Sequence, residues 1–100
     1  MKRGEIWWAI VDKRRPVVLL SRDEAYDVRT MIVAAPVSTT IRGYAVEVKV
    51  GRREGLSETS VVNCDWIVTL RKDRLERRIG TLHAEKLSAL DDALRFALGL

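Results

Sequence analysis

Residues 6–20 read IWWAIVDKRRPVVLL, in which two apolar runs flank a short charged segment. Aromatic and β-branched side chains favour extended backbone, so residues 6–11 and 17–20 are predicted to be strands. Pro16 stands at the start of the second run, where a strand tolerates its missing N–H. The charged residues between the runs then form a short turn that joins two successive strands.

The first strand contains two adjacent tryptophans, Trp7 and Trp8. Successive side chains of a strand point to opposite faces, so the two rings cannot both enter the same core. We expect one of them in the core and the other at a surface. Stacking on a nucleic-acid base is a further use that the exposed ring could have.

The chain beyond these strands continues with short β-prone segments. Residues 22–30 predict a loop or a single helical turn. Residues 31–37 are apolar but contain Pro36, which indicates a sheet edge or a strand end. Residues 45–50 alternate strictly between apolar and other positions, which is the period of a strand with one wet face.

Two more β-prone segments and a helix complete the pattern. Residues 60–70 form one long β-prone segment, and residues 79–82 form a further short strand. The last segment changes period, because its apolar residues recur on one helical face: Leu87, Leu90, Leu94, Ala97 and Leu98. Gly99 follows these residues at a position where helices commonly end.

The order of these elements predicts a mainly β fold with a C-terminal α-helix. Five or six strands follow one another without long helical crossovers, which is typical of an antiparallel sheet curled or closed into a small barrel. One hundred residues suffice for a single domain, spanning residues 1–100. Because so short a domain buries a modest fraction of its surface, pairing of two copies would stabilise it.

The charge balance of the chain is basic. It has 18 Lys and Arg residues against 14 Asp and Glu residues, a formal net charge of +4. This excess favours an anionic partner, although clustered basic residues are also common in solvated loops. We interpret the stretch Arg71–Arg78 as such a solvated face, whereas Lys13, Arg14 and Arg15 directly precede Pro16 and are candidates for binding.

The residue inventory excludes several classes of site. Cys64 is the only cysteine and His83 the only histidine, so no intramolecular disulfide, metal site or cofactor is expected. We expect Cys64 to be a small buried hydrophobe inside a strand, and His83 to be a capping or surface residue where the final helix begins. No apolar run approaches the ~20 residues that span a bilayer, so we expect no membrane partner and a reducing cytoplasm.

Cleavage of RNA by its own 2′-hydroxyl is compatible with this inventory. The reaction needs a base near the hydroxyl, charge stabilisation at the phosphorane and a proton for the leaving 5′-oxygen. Arginine binds phosphate oxygens through a planar fork, a hydroxyl can donate to the same oxygens, and a carboxylate can accept a proton. Arg15, Ser38 or Thr39, and Asp65 supply these chemical types, but the types alone do not single them out.

Ordered motifs along nearly the whole chain supply a more specific signal. They are Arg3–Trp7, Arg15–Leu19, Val33–Thr39, Gly55 and Leu56, Ser60–Val62 with Asp65, Ile79 and Gly80, and the final helix with Gly99. Each motif is weak by itself, but the ordered set resembles the MazF/PemK toxins. The resemblance implies a small SH3-like barrel that pairs as a two-fold homodimer.

The same resemblance implies a function. MazF/PemK proteins are toxins of type II toxin–antitoxin systems and cut single-stranded RNA sequence-selectively without a metal. Cleavage leaves a 2′,3′-cyclic phosphate and a 5′-hydroxyl end, and it inhibits translation and growth. The implied partners are single-stranded RNA and a cognate antitoxin whose flexible acidic tail occupies the RNA groove.

Transfer of the family motifs onto this sequence assigns site residues. The family's catalytic arginine falls on Arg15, its usual threonine falls on Ser38, and its acidic residue, which orients RNA or transfers a proton, falls on Asp65. Trp66 stands where glutamine is frequent, which predicts altered base contacts such as stacking. Further RNA contacts are expected at Lys13, Arg14, Thr39, Thr40, Arg42, Asn63 and Trp66.

Two other functions stay open at this point. A relative with the same barrel, of the CcdB type, poisons DNA gyrase by binding it and needs no catalytic residues. An inactive RNA-binding relative is the other alternative, and it is motivated by Ser38 and Trp66. The Arg15–Pro16 pair with a nearby hydroxyl favours RNA cleavage over both alternatives.

Overall fold

Seven antiparallel strands and a C-terminal helix form the computed structural model, which describes all residues from 1 to 100. The strands are β1 (Glu5–Ile10), β2 (Arg14–Leu19), β3 (Met31–Ser38), β4 (Glu47–Val50), β5 (Ser60–Asn63), β6 (Val68–Arg71) and β7 (Leu75–Thr81). The α-helices are α1 (Ala25–Val28), a single turn, and α2 (Ala84–Leu98), and two 3₁₀ turns lie at Arg52–Glu54 and Lys72–Arg74. The predicted mainly β fold with a C-terminal helix is confirmed.

One long strand organises the curled sheet. The strand order is β4-β5-β3-β2-β1-β7, and β6 also pairs with β3. Along one edge, β3 pairs with β2 from Ala34 to Pro36. Along the other edge, β3 pairs with β6 from Met31 to Ala34 and with β5 at Val37 and Ser38. The sheet therefore changes neighbours in the middle of β3, and this change curls it.

Pro36 lies at that change of neighbours, and its predicted place at an edge or a strand end is wrong. Pro36 is buried inside β3, opposite Val17 of β2. On the other edge of β3, pairing with β6 ends at Ala34 and pairing with β5 starts at Val37. No strand is in register with Pro36 on that edge, so the missing N–H leaves no gap in a ladder.

The count of five or six strands is also corrected. The long β-prone segment of residues 60–70 divides into β5 and β6, because a turn follows Asn63. In this turn the Trp66 N–H donates to the Asn63 carbonyl oxygen at 3.1 Å. The short strand predicted at residues 79–82 is the end of β7, which begins at Leu75.

The curled sheet buries apolar side chains on both faces. One cluster lies between the sheet and α2 and includes Ile6, Val18 and Leu90, all without solvent exposure. The other cluster lies on the opposite face and includes Val17 and Leu19. Burying a side chain of this size contributes ~1.5–3 kcal/mol. Successive residues of β2 alternate between the two clusters, which explains why the whole run is buried. Trp7 packs against the second cluster, as expected for one of the two tryptophans.

Helix α2 covers the first cluster with its apolar face. Leu90 and Ala93 are buried, and Leu87, Leu94 and Ala97 pack against the cluster in part. Leu98, predicted on this face, is 57% exposed instead.

The two ends of α2 lie where the sequence indicates. Gly99 has a φ of 71° and donates its N–H to the carbonyls of Arg95 and Phe96, so it ends the helix as predicted. His83 is exposed at the N-cap position without a side-chain capping bond, which leaves it a surface residue. Neither helix is both long and apolar enough to cross a bilayer.

Candidate functional site

The pairing of β2 with β3 brings the predicted catalytic arginine and hydroxyl to one place. Val17 lies opposite Pro36 in the antiparallel register. Two residues further along each strand, the same register leads to Arg15 at the start of β2 and to Ser38 at the end of β3. Both side chains are partly exposed, and both line one open cavity of about 520 Å³.

Nine of the ten predicted site residues line this cavity, which we call the Arg15 cavity. Its walls are Lys13, Arg14, Arg15, Pro16, Val37, Ser38, Thr39, Thr40, Arg42, Asn63 and Trp66. These residues come from the β1–β2 turn and the start of β2, from the end of β3 and the loop after it, and from the end of β5 and the turn after it. The three segments are remote from one another in the sequence. Asp65, the tenth predicted residue, does not line the cavity.

Arg15 is held by an acidic residue of the preceding turn. Its Nε donates to Oδ1 of Asp12 at 2.7 Å, and its Nη2 donates to Oδ2 at 3.0 Å. This bidentate bond raises the pKa of Arg15 and holds the pKa of the Asp12 carboxyl well below its usual range. The guanidinium has five N–H bonds, so three remain for a ligand in the cavity.

An aromatic ring supports the same guanidinium from its flat side. The Arg15 Cζ lies 4.9 Å from the centroid of the Trp66 ring, within the range of a cation–π contact. Trp66 reaches this position through the turn after β5. A carboxylate along one edge and an indole against one face restrict the rotation of Arg15, whose side chain is only 21% exposed.

The Ser38 hydroxyl organises the chain that follows it. Its Oγ accepts the Thr40 N–H at 3.0 Å, which leaves the hydroxyl hydrogen to donate elsewhere. Thr39 and Thr40 are exposed beside it. The end of β3 therefore presents three hydroxyl groups at the rim of the cavity.

Glu47 fixes the loop that carries Arg42, and the sequence analysis did not identify it. Its carboxylate accepts the N–H groups of Arg42, Gly43 and Tyr44, with the shortest contact at 2.8 Å to Gly43. The alternation in residues 45–50 marks Glu47 only as a position on the wet face. Its amide partners are defined by the fold of the loop and leave no signal in the sequence.

Asp12 is the second residue that the sequence analysis did not identify. An acid three residues before Arg15 is a weak signal, because surface turns often contain charged residues. The short β1–β2 turn brings the two side chains together, and the Asp12 carboxylate also accepts the Lys13 N–H at 2.9 Å. The turn is thus organised around one carboxylate.

The field of the cavity is positive. Its walls contain four cationic side chains and no carboxylate. Lys13 and Arg42 have no carboxylate within 4 Å, whereas Arg14 donates to Oε1 of Glu76 at 2.7 Å. The two unpaired cations attract an anionic ligand by charge alone, while Arg15 is already oriented.

Asp65 and Asn63 form the turn below Trp66. The Asp65 N–H donates to Oδ1 of Asn63 at 3.0 Å, so the amide oxygen is used within the turn and the Asn63 NH₂ group is left for a ligand. The Asp65 side chain is exposed outside the cavity.

Cys64 was predicted to lie inside a strand, and this is wrong because it follows the end of β5 at Asn63. Its predicted burial is confirmed. Burial raises the pKa of its thiol to about 11, so Cys64 is protonated near neutral pH. A protonated thiol is a poor nucleophile. No group of three or more His, Cys, Asp or Glu side chains lies close enough to hold a metal ion.

Comparisons with known proteins identify close relatives over nearly the whole chain. A family model described as the PemK-like, MazF-like toxin of type II toxin–antitoxin systems matches residues 2–98. Endoribonuclease MazF3 of Mycobacterium tuberculosis is 41% identical over 92 residues, covering 92% of this chain and 89% of the relative. Probable endoribonuclease MazF5 of the same organism is 37% identical over 99 residues, covering 96% and 91%.

Solved structures agree with the sequence relatives. The Mycobacterium tuberculosis toxin MazF-mt6 superposes with a TM-score of 0.93 at 41% identity, covering 96% of this chain and 97% of that one. An endoribonuclease in complex with its cognate antitoxin, from a mycobacterial species, superposes with a TM-score of 0.91 at 29% identity, covering 100% and 96%. The fold is thus shared with proteins of both descriptions.

Proposed function

This chain belongs to the PemK-like, MazF-like toxins of type II toxin–antitoxin systems, and we propose that it is an endoribonuclease that cuts single-stranded RNA in the Arg15 cavity. The observation that carries the proposal is that Arg15 and Ser38 line the same open, positively charged cavity. A phosphodiester that enters this cavity meets a fork of N–H donors and a hydroxyl donor together.

The proposed reaction is an internal transfer within the RNA. The 2′-oxygen forms a bond to phosphorus and gives its proton to solvent water, and the bond from phosphorus to the 5′-oxygen breaks as that oxygen takes a proton from solvent. The products are a 2′,3′-cyclic phosphate and a 5′-hydroxyl end. This step needs no metal.

Arg15 would stabilise the charge that develops on the phosphorane. Three of its N–H bonds remain free beyond the pair that Asp12 accepts, and they can bind non-bridging oxygens and hydrogen bond to the leaving oxygen as it is protonated. Since Asp12 and Trp66 already orient the guanidinium, little reorganisation accompanies the reaction. Asp12 acts here as a positioning residue.

Ser38 would hold the scissile phosphate through its free hydroxyl hydrogen. Because the Thr40 N–H already bonds to Ser38 Oγ, the hydroxyl is directed rather than freely rotating. We assign Asp65 to the orientation of RNA at the rim, since its exposed side chain lies outside the cavity. The lowered pKa of Asp12 makes that carboxylate a weak base, so Asp12 is not assigned to proton removal.

The remaining cavity residues would bind the RNA strand. Lys13 and Arg42 lack acidic partners and suit neighbouring phosphates, while Thr39, Thr40 and Asn63 can hydrogen bond to base or sugar groups. The indole of Trp66 offers a stacking surface for a base on the side that Arg15 does not cover. Arg14, tied to Glu76, would contribute charge rather than a direct bond.

A cognate antitoxin would compete for the same charges. An acidic flexible tail complements the unpaired Lys13 and Arg42, and its carboxylates would replace phosphates there. We infer a homodimer as well, because Tyr44, Phe96 and Leu98 are exposed apolar side chains that a second copy could cover. We place the active protein in the cytoplasm, where its RNA substrate is found.

The relatives reported above are named endoribonucleases, which favours cleavage over gyrase binding and over inactive RNA binding. The test is to express the chain, map new 5′-hydroxyl ends in cellular RNA, and repeat the mapping with Arg15→Ala. We expect discrete cut sites with the wild type and none with the variant. Equal cutting by a folded Arg15→Ala protein would contradict the assignment. If the wild type made no cuts in RNA but inhibited DNA supercoiling by gyrase, the gyrase alternative would be restored.

A further inference from the structure

A second cavity adjoins the Arg15 cavity on the other side of Pro16 and Thr39. It measures about 530 Å³ and is lined by Trp8, Pro16, Thr39, Gly55, Leu56, Ser57, Glu58, Ser60, Arg77, Arg78 and Ile79. Pro16 and Thr39 are walls of both cavities, so the two cavities meet along these two residues. We call this second space the Trp8 cavity.

The sheet builds one side of the Trp8 cavity from three neighbouring strands. Trp8 of β1 lies opposite Pro16 of β2 and opposite Arg77 of β7. Directly opposed residues of paired strands present their side chains on the same face. An aromatic ring, a proline and an arginine therefore form a continuous row that leads away from the scissile site.

The charge in this row is positive and in part unpaired. Arg77 has no carboxylate within 4 Å, and the Arg78 Nε lies 3.9 Å from Oε2 of Glu5. Glu58 is the only acidic residue in the walls. The Trp8 cavity thus offers a cationic side chain that no protein group neutralises.

The indole of Trp8 is fixed from one side. The Arg14 Cζ lies 4.1 Å from the centroid of the Trp8 ring, and Glu76 holds the Arg14 guanidinium through the 2.7 Å bond to Nε. The remaining surface of the Trp8 ring borders the cavity, where it can contact a planar group. A fixed ring costs little conformational entropy when a base packs on it.

We propose that the Trp8 cavity is a subsite for a nucleotide of the RNA strand that flanks the scissile phosphodiester, with its phosphate bound by Arg77 and its base packed against Trp8. The proposal rests on the function assigned to the Arg15 cavity, because it takes the flanking nucleotide from the same strand. The two cavities together supply a strip of cations and rings, which matches a single strand of phosphates and bases.

The basic residues of the stretch Arg71–Arg78, predicted to be one solvated face, fall into two groups. Arg77 and Arg78 line the Trp8 cavity, whereas Arg71 and Arg74 lie before β7 and line neither cavity. Arg71 is paired with Asp73 at 2.8 Å. Arg74 is exposed and has no carboxylate within 4 Å, so it is a matched control for Arg77.

The experiment measures binding rather than cleavage. Uniformly 2′-O-methylated RNA of mixed sequence cannot be cut, and it is titrated as a trinucleotide and as a nonanucleotide at several salt concentrations. We expect Arg77→Ala to weaken nonanucleotide binding about tenfold, since a hydrogen bond to a charged group is lost. The slope of log affinity against log salt should become shallower by ~0.7, the value for one phosphate contact on a single strand.

Three comparisons decide the outcome. Arg74→Ala should leave both affinities unchanged, and Arg77→Ala should leave trinucleotide binding unchanged. Trp8→Leu should weaken nonanucleotide binding while Trp8→Phe retains most of it. If Arg77→Ala bound the nonanucleotide as tightly as Arg74→Ala does, the proposed subsite would be wrong. It would also be wrong if Arg77→Ala weakened binding of an acidic antitoxin peptide but not of the nonanucleotide.

The proposed function is judged by a different readout. Wild-type protein that binds the nonanucleotide in an Arg77-dependent way but makes no 5′-hydroxyl ends would keep the subsite and overturn the nuclease assignment. If the wild type cut RNA but Arg77→Ala bound the nonanucleotide like the wild type, the nuclease assignment would stand and the subsite would be overturned. Circular dichroism checks that each exposed-site variant remains folded.

Discussion

The guanidinium of Arg15 and the carboxylate of Asp12 share two hydrogen bonds, Nε to Oδ1 at 2.7 Å and Nη2 to Oδ2 at 3.0 Å. The contact spans only three residues, so it depends on the short β1–β2 turn rather than on distant packing. It leaves the rest of the guanidinium free on the cavity side. The proposed catalytic group is thereby oriented before any RNA binds.

Replacement of Asp12 by Asn should lower kcat more than it raises KM. The amide accepts only one of the two N–H bonds and carries no charge, so Arg15 gains rotational freedom. We expect a loss of about tenfold in kcat with KM changed less than threefold, as for a positioning residue. Single-turnover cleavage of a mapped RNA site measures both values, and an unchanged kcat would show that Arg15 needs no orientation from Asp12.

The Asp12–Arg15 pair should withstand acid better than an ordinary aspartate. Its partner lowers the pKa of Asp12, so the stabilisation is complete above the unfolded value of about 3.9 and is lost as pH falls toward the lower folded value. At a pH near 3.9 the Asp12 carboxylate should therefore remain ionised. The carboxyl ¹³C shift of Asp12 reports this, with Arg15→Ala as the reference; equal titration of Asp12 in the two proteins would refute the pair.

Arg15→Lys should fail to restore cleavage although it keeps the charge. Lysine is a point charge and cannot bond to Asp12 and to phosphate through one planar fork. We expect a fall in kcat of about 100-fold or more. Arg74→Lys, at an exposed position with no carboxylate within 4 Å, serves as the control and should cut at the wild-type rate.

Ser38→Ala should remove one donor to the scissile phosphate and lower kcat by about 100-fold. Ser38→Thr keeps the hydroxyl and adds a methyl group that stiffens χ1, so it should retain most of the activity. Cleavage rates of the two variants on the same RNA make the comparison. Equal rates for alanine and threonine would exclude a role for the hydroxyl.

Glu47→Ala should loosen the loop that carries Arg42. Three backbone N–H groups, those of Arg42, Gly43 and Tyr44, lose their acceptor. We expect faster hydrogen exchange at these amides and a rise of several-fold in the KM for RNA, while the global stability falls by ~1 kcal/mol. Glu85→Ala, on the exposed side of α2, is the control and should alter neither value.

Gly80→Ala should destabilise the fold at a position outside the walls of the Arg15 cavity. A Cβ at position 80 would lie 2.0 Å from the carbonyl oxygen of Glu54, which is backbone and cannot move aside cheaply. We expect a loss of ~2 kcal/mol or more in the free energy of unfolding. Gly51→Ala meets only Thr59 at 3.8 Å and should be nearly neutral, so urea unfolding of both variants separates crowding from the general effect of an added methyl group.

Local patterns of the sequence predicted most of the elements. The β-prone runs of β1 and β2 and the helical period of α2 are short-range signals, and the structure contains all three elements. The division of residues 60–70 into β5 and β6 was missed, because the two polar residues Asn63 and Asp65 do not by themselves mark a turn in a β-prone segment, whereas the strand pairing does. Pro36 was misplaced for a related reason: proline is excluded from a ladder only where a neighbour needs its N–H, and only the sheet topology shows which side of β3 is unpaired there.

The sequence by itself determined the class of fold, the family resemblance and the identity of the candidate site residues, because these depend on side-chain type and on order along the chain. The tertiary structure decided which of them meet. It brought Arg15, Ser38 and Trp66 to one cavity, left Asp65 outside it, and revealed Asp12 and Glu47 as the groups that hold the site in place. Such contacts depend on turn geometry and strand register, which place charged groups within hydrogen-bonding distance and leave no period or motif behind.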